Sequence, residues 1–148
     1  MASAPGVWPA DAPCPDADYR DTFVAPCANA ADRTGEQWMR ECLEGAPLLL
    51  RSFVAIGWRL VLGFEPSRSD AILGWPIVGS APEYVLLEQQ SRLFHAALLL
   101  DVGQDRLVWA TRVVYRARAA KPMWAVVKIV HRSISPYLLK RAARRHAR

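Results

Sequence analysis

Histidine is the side chain most often used to move a proton near neutral pH, so the histidines come first. His95 follows Phe94 at the start of a β-like run. His131 lies in the last apolar-periodic segment, on the same flank as Trp124. The plain reading of His95 is a solvated strand-edge residue, and of His131 a partly buried ring that bonds a carbonyl and packs on Trp124. A carboxylate within reach of either would make it a catalytic candidate. Asp70, Asp101 and Asp105 flank strand-like runs at turn positions, where Asp is ordinary. The chain has no Gly-x-Ser-x-Gly elbow, no P-loop and no Gly-x-Gly-x-x-Gly. Cys14, Cys27 and Cys42 form no Cys-x-x-Cys, and the histidines are far apart, so no metal site is assigned. No catalytic residue and no cofactor is assigned either. Three scattered thiols fit a reducing compartment. Cys42 falls on the apolar side of a helix, as a buried inert thiol does.

Binding residues are better represented than catalytic ones. Tryptophans stand at positions 8, 38, 58, 75, 109 and 124, and all but the first fall in periodic segments. Their N–H groups need partners when buried. Such a set makes either a large aromatic core or an aromatic-lined cavity. The candidate lining is Trp58, Trp75, Trp109, Tyr115 and Trp124, with Val127 and Val130 beside them and His131 or Tyr84 as a polar anchor.

These side chains need a frame. The 148 residues are one domain by length, and 52% apolar content supports a folded core. Asp18–Ala25 reads as a first strand. Thr34-x-x-Gln37 fits a capping box that opens a helix, and Gly45 ends it. A second helix runs from Pro47 to Gly63, so the pair meets at a Gly-Ala-Pro corner. From position 69 the period becomes two. Strands are expected over Asp70–Val78 (at an edge or bulge, because of Pro76), Glu83–Ser91, Phe94–Val102 and Arg106–Arg116. In the last of these, Leu107, Trp109, Thr111, Val113 and Tyr115 share the inner face, and Arg112 and Arg116 the outer. Lys121–Arg144 reads as one long helix with Pro122 in its first turn. Met123, Val126, Val127, Val130, Ile134, Tyr137 and Leu138 form its apolar stripe, which stops after Leu138. Pro136 removes one bond of that helix and is expected to kink it.

The net charge of +5 is unevenly spread. Residues 1–105 carry 7 Lys/Arg against 14 Asp/Glu, and residues 106–148 carry 12 Lys/Arg and no acid. The basic end lacks interleaved aromatics, so nucleic acid is not expected as a partner. It reads as a solvated helix end with at most a weak contact to anionic membrane. Residues 1–16 read as a disordered tail with no secretory signal, and the location as cytoplasmic. The apolar run Pro47–Phe64 holds Arg51 and Arg59, which argues against a membrane span.

The order strand, helix pair, antiparallel meander, long C-terminal helix resembles the helix-grip fold of START-like (SRPBCC) proteins, which include polyketide-cyclase-like members. The likeness is carried by Gly45-Ala46-Pro47, Leu50-Arg51, Gly57-Trp58-Arg59, Leu62-Gly63 and Leu73-Gly74-Trp75-Pro76-Ile77. It continues in Trp124, His131-Arg132 and Pro136-Tyr137-Leu138-Leu139. Closer still is a bacterial group within that class known only as a domain of unknown function. The resemblance implies an α+β fold over residues 17–140, a curved antiparallel sheet gripping its last helix, and an apolar ligand held between them. Residues 141–148 would be the basic helix end. Only four strands can be placed after the helix pair, where the resemblance implies about six. Three readings follow: a small-molecule binding protein, a cyclase-like or hydrolase-like enzyme using His131 or His95, and a module that docks a protein partner. Connected space behind Trp124 would favour the first over the third.

Overall fold

A computed structural model describes residues 8–65 and 70–148. The chain runs β1 (Tyr19–Pro26), a short 3-10 turn (Ala30–Asp32), α1 (Gly35–Leu43), α2 (Leu48–Leu60), then five strands. These are β2 (Ala71–Ile72), β3 (Trp75–Ala81), β4 (Tyr84–Gln90), β5 (Phe94–Val102) and β6 (Arg106–Tyr115). The last element is α3 (Ala120–His146). The strands form one antiparallel sheet in the order β1-β6-β5-β4-β3-β2. The fold is α+β, with the helices gathered on one face of the sheet.

Alternation decides which side chains face the helices. Phe94, Ala96, Leu98 and Leu100 of β5 and Leu107, Trp109 and Val113 of β6 point the same way. They share a core with Trp38, Met39, Cys42 and Leu43 of α1 and with Trp124, Leu138, Leu139 and Ala142 of α3. The capping box forms as expected: Gln37 N donates to Thr34 Oγ1 at 3.2 Å, and Thr34 N donates to Gln37 Oε1 at 2.9 Å. Gly35 then lets α1 touch the β3–β4 turn. A Cβ there would lie 2.3 Å from the Tyr84 carbonyl carbon. The Gly45-Ala46-Pro47 corner separates α1 from α2, and the Arg51 guanidinium ties it by donating to the Glu44 carbonyl at 2.7 Å.

Four expectations change. The run Asp70–Val78 is a hairpin rather than one strand: Ile72 pairs with Trp75 across Leu73-Gly74. Both turn residues take positive φ, 47° and 88°, as a two-residue primed turn requires. Leucine at such a position hid the turn. Five strands therefore follow the helix pair, and the sheet has a bulge between Ile77 and Gly79, next to Pro76.

The second change concerns α3. Its buried residues are Ala120, Trp124, Ser135, Leu138, Leu139, Ala142 and Ala143, while Val126 is 68% and Ile129 67% exposed. The buried face is rotated toward the expected flank, and α3 runs unbroken through Pro136.

Third, the basic end is not a solvated stub. Ala142 and Ala143 pack against the core, Arg145 pairs with Glu41 at 2.8 Å, and the His146 ring meets Trp38 edge-on. Alanines carry little weight on a hydrophobicity wheel, so the small-residue contact with α1 was invisible there.

Fourth, residues 8–16 are not a free tail. Ala12 and Cys14 are buried on the outer face of the sheet with Leu86, Ala97, Leu99 and Ala110. The Arg112 guanidinium lies 4.2 Å over the Trp8 ring and donates to the Pro13 carbonyl at 3.1 Å. An outward arginine thus holds a strap across the back of the sheet. Residues 1–7 lie outside the described residues.

Deleting residues 141–148 removes the Ala142 and Ala143 packing and the Arg145–Glu41 pair. We expect a loss of about 2 kcal/mol or more in urea unfolding. An unchanged midpoint would show that the end of α3 does not dock.

Candidate ligand-binding cavity

A cavity of about 300 Å³ lies between the sheet and the two helices α2 and α3. That is the lower end of the range for small-molecule sites. Its floor is the inner face of the sheet: Phe94, Ala96 and Leu98 from β5, and Trp109, Thr111 and Val113 from β6. One wall is α2, through Phe53, Val54, Gly57 and Trp58, with Val61 just past its end. The other is α3, through Trp124, Val127, Val130, His131 and Ser135 among others.

Rings cluster at both ends. Trp58 and Phe64 each meet Trp75 edge-on, at 5.2 and 5.3 Å between centroids. At the other end Trp124 sits 5.9 Å from Phe94, 5.1 Å from Tyr19 and 5.5 Å from the His131 ring. The lining is overwhelmingly apolar. Thr111, His131 and Ser135 bring side-chain oxygen and imidazole nitrogen to one region of it.

Behind that region stands a buried carboxylate. His131 Nε2 lies 2.7 Å from Asp21 Oδ2, and the Tyr19 hydroxyl donates to the same oxygen at 2.6 Å. Ser135 Oγ is 3.2 Å from His131 Nδ1, and Thr111 Oγ1 is 3.3 Å from Nε2. A carboxylate can only accept, so the neutral imidazole carries its proton on Nε2, and Nδ1 then accepts from Ser135. Burial, followed by the bond to Asp21, pushes the Tyr19 phenol well above its ordinary pKa, so it stays a neutral donor. Asp21 Oδ1 is buried with no partner among the described residues, and so are the indole N–H groups of Trp75, Trp109 and Trp124.

Of the nine side chains expected at the site, seven line the cavity: Trp58, Trp75, Trp109, Trp124, Val127, Val130 and His131. Tyr84 does not, because it packs on the outer face of the sheet beside Leu86. Tyr115 does not either: it lies at the end of β6, edge-on to Phe94 and outside the lining. His95 also faces outward, with its Nε2 2.5 Å from Glu88 Oε2. Both histidines therefore have a carboxylate, but only His131 has one at the cavity.

Asp21 and Ser135 were missed. The signal for Asp21 was present: Tyr19, Asp21 and Phe23 alternate inward along β1, which places a carboxylate at a core position. Ser135 follows His131 by one helical turn, so it shares the buried face. Among the described residues no three His, Cys, Asp or Glu side chains converge as a metal site. No helix there is long and apolar enough to cross a membrane. No protein-family model, curated protein or solved structure matches this chain.

Replacing Asp21 with Ala leaves the Tyr19 hydroxyl and His131 Nε2 without their shared acceptor. A cost of about 1–3 kcal/mol is expected. In the wild type, imidazole ¹⁵N shifts should report the Nε2–H tautomer for His131. In Asp21→Ala that preference should weaken. A wild-type ring with its proton on Nδ1 would contradict the assignment.

Proposed function

We propose that the protein is a START-like domain that binds an apolar or aromatic small molecule between its sheet and its C-terminal helix. The observation that carries this reading is the cavity itself, bounded by Trp58, Trp75, Trp109 and Trp124. Space lined by Trp124 supports a small-molecule binder over a module that docks a protein partner. Element order supports the helix-grip likeness, with the last helix lying across the inner face of the sheet. The ligand would be mainly hydrocarbon and carry one or two oxygens. Ser135 and Thr111 can bond such a group at the His131 end.

Ala96 tests this, because it lines the cavity from the middle of β5. In an open cavity Ala96→Phe fills space. Stability should stay near wild type, and uptake of the neutral apolar dye N-phenylnaphthylamine should fall away. In a filled core the same change overpacks and should cost about 1–3 kcal/mol. Wild type that takes up no dye, together with an early-unfolding variant, would overturn the reading.

A second reading is proton-transfer chemistry at His131, favoured by Asp21 at 2.7 Å. A base oriented by a buried carboxylate beside a largely apolar cavity suits removal of a proton next to a carbonyl. The check is exchange of C–H for C–D in small cyclic ketones, followed by NMR in D₂O. His131→Gln should abolish any enzyme-dependent exchange while dye uptake persists. No exchange by the wild type with any ketone that displaces the dye would leave the protein a binder.

A further inference from the structure

The mouth of the cavity has its own chemistry. No residue of α2 is fully buried. Val54, Gly57 and Trp58 turn toward the cavity, while Leu49 and Leu60, on the opposite stripe, are 86% and 76% exposed. Ile56 shares that stripe and is exposed as well. Across the mouth α3 exposes Val126, Ile129 and Val130. Phe53, Val61, Val126 and Val130 are both exposed and part of the cavity lining. The cavity interior and the outer patch are therefore one continuous apolar surface.

The two helices that form it carry charges of one sign. Residues 46–64 and 116–140 contain eight Lys or Arg and no Asp or Glu. On a helix of 3.6 residues per turn, Arg59 borders the Leu49–Ile56–Leu60 stripe of α2, and Lys121 and Arg132 border the exposed stripe of α3 on its far side. Large apolar side chains flanked by cations are the pattern of helices that lie in the interface of an anionic membrane. A second copy of the same face would bring like charges together. A bilayer also offers what a protein partner does not, a reservoir of apolar molecules at the mouth.

We infer that this face docks on an anionic lipid bilayer, with α2 lying in the interfacial layer and the cavity mouth turned toward the lipid. The docking stands on the surface alone. Entry of a ligand from the bilayer rests in addition on the binding reading given above. The surface is α2 with the first half of α3, and the basic C-terminal end, which docks on α1, is not part of it.

The test is flotation with vesicles of phosphatidylcholine alone and of phosphatidylcholine mixed with phosphatidylglycerol. The full chain should bind the mixed vesicles, bind phosphatidylcholine much less, and lose affinity as salt rises. Leu49→Ser combined with Leu60→Ser removes exposed side chains that do not line the cavity. That variant should keep its unfolding midpoint and its dye uptake, yet bind mixed vesicles about tenfold more weakly or worse. Arg144→Gln combined with Arg148→Gln should bind close to wild type. The inference is overturned if the wild type binds neither vesicle, if the serine variant binds as the wild type does, or if binding follows the C-terminal arginines. It is equally overturned if the wild type sediments as a dimer that the serine variant dissolves, because the face is then a self-interface. Vesicle binding as expected with no dye uptake by the wild type supports docking and removes the ligand cavity.

Discussion

The bond between Asp21 and His131 fixes how the last helix sits on the sheet. A carboxylate at an inward position of β1 needs hydrogen-bond donors, since a buried acceptor left unmet costs about 1–3 kcal/mol. Among the described residues α3 packs on β1 and brings His131 to Asp21 beside the Tyr19 hydroxyl. That requirement sets the rotation of the whole helix. Turning α3 to cover Val126 and Ile129 would gain about 1.5–3 kcal/mol for each side chain fully buried. It would also strip Trp124 and Leu138 from the core and leave the Asp21 carboxylate with the Tyr19 hydroxyl as its one remaining donor among the described residues. The polar pair and the large ring outweigh the aliphatic residues, which are left facing solvent and the cavity mouth.

The two ends of the helical layer are built differently. The end formed by α1 and the last turns of α3 is close-packed, with Trp38, Met39, Leu139 and Ala142 all nearly inaccessible. Trp38 donates its indole N–H to the Ala30 carbonyl at 2.8 Å, so this large ring is fully satisfied. The end formed by α2 and the first turns of α3 encloses space, and no α2 residue is fully buried. Three of the four indoles that line the space, Trp75, Trp109 and Trp124, have buried N–H groups with no acceptor among the described residues. Packing completeness and polar satisfaction change together along the molecule, as they would where one end holds the fold and the other holds a guest.

Much of this was legible in the residues. The two-residue period placed β4, β5 and β6, the Thr34-x-x-Gln37 box placed α1, and Gly45-Ala46-Pro47 separated α1 from α2. Alternation grouped Trp109, Thr111 and Val113 on one face of β6, and the two arginines, Arg112 and Arg116, marked the other face as the outward one. Three features were not legible, each for a physical reason. Leu73 adopts positive φ, which leucine rarely does, so the β2–β3 turn had no residue signature. The α3 stripe was weighted by side-chain hydrophobicity, which cannot register a histidine held inward by a carboxylate 110 residues away. The strap over residues 8–16 depends on a stacked arginine and a buried thiol, and neither carries a periodic signal. Tyr84 was misplaced because alternation tells which residues share a face, while the core decides which face is inner.

The central claim is that the space between sheet, α2 and α3 is a ligand site with its polar end at His131. Native mass spectrometry of the protein purified gently from its own host tests it most directly. The account predicts a complex heavier than the polypeptide by the mass of a mainly apolar small molecule, released on denaturation and missing from Ala96→Phe. A bare polypeptide mass in the wild type, with the same result after incubation with a lipid extract of that host, would contradict it.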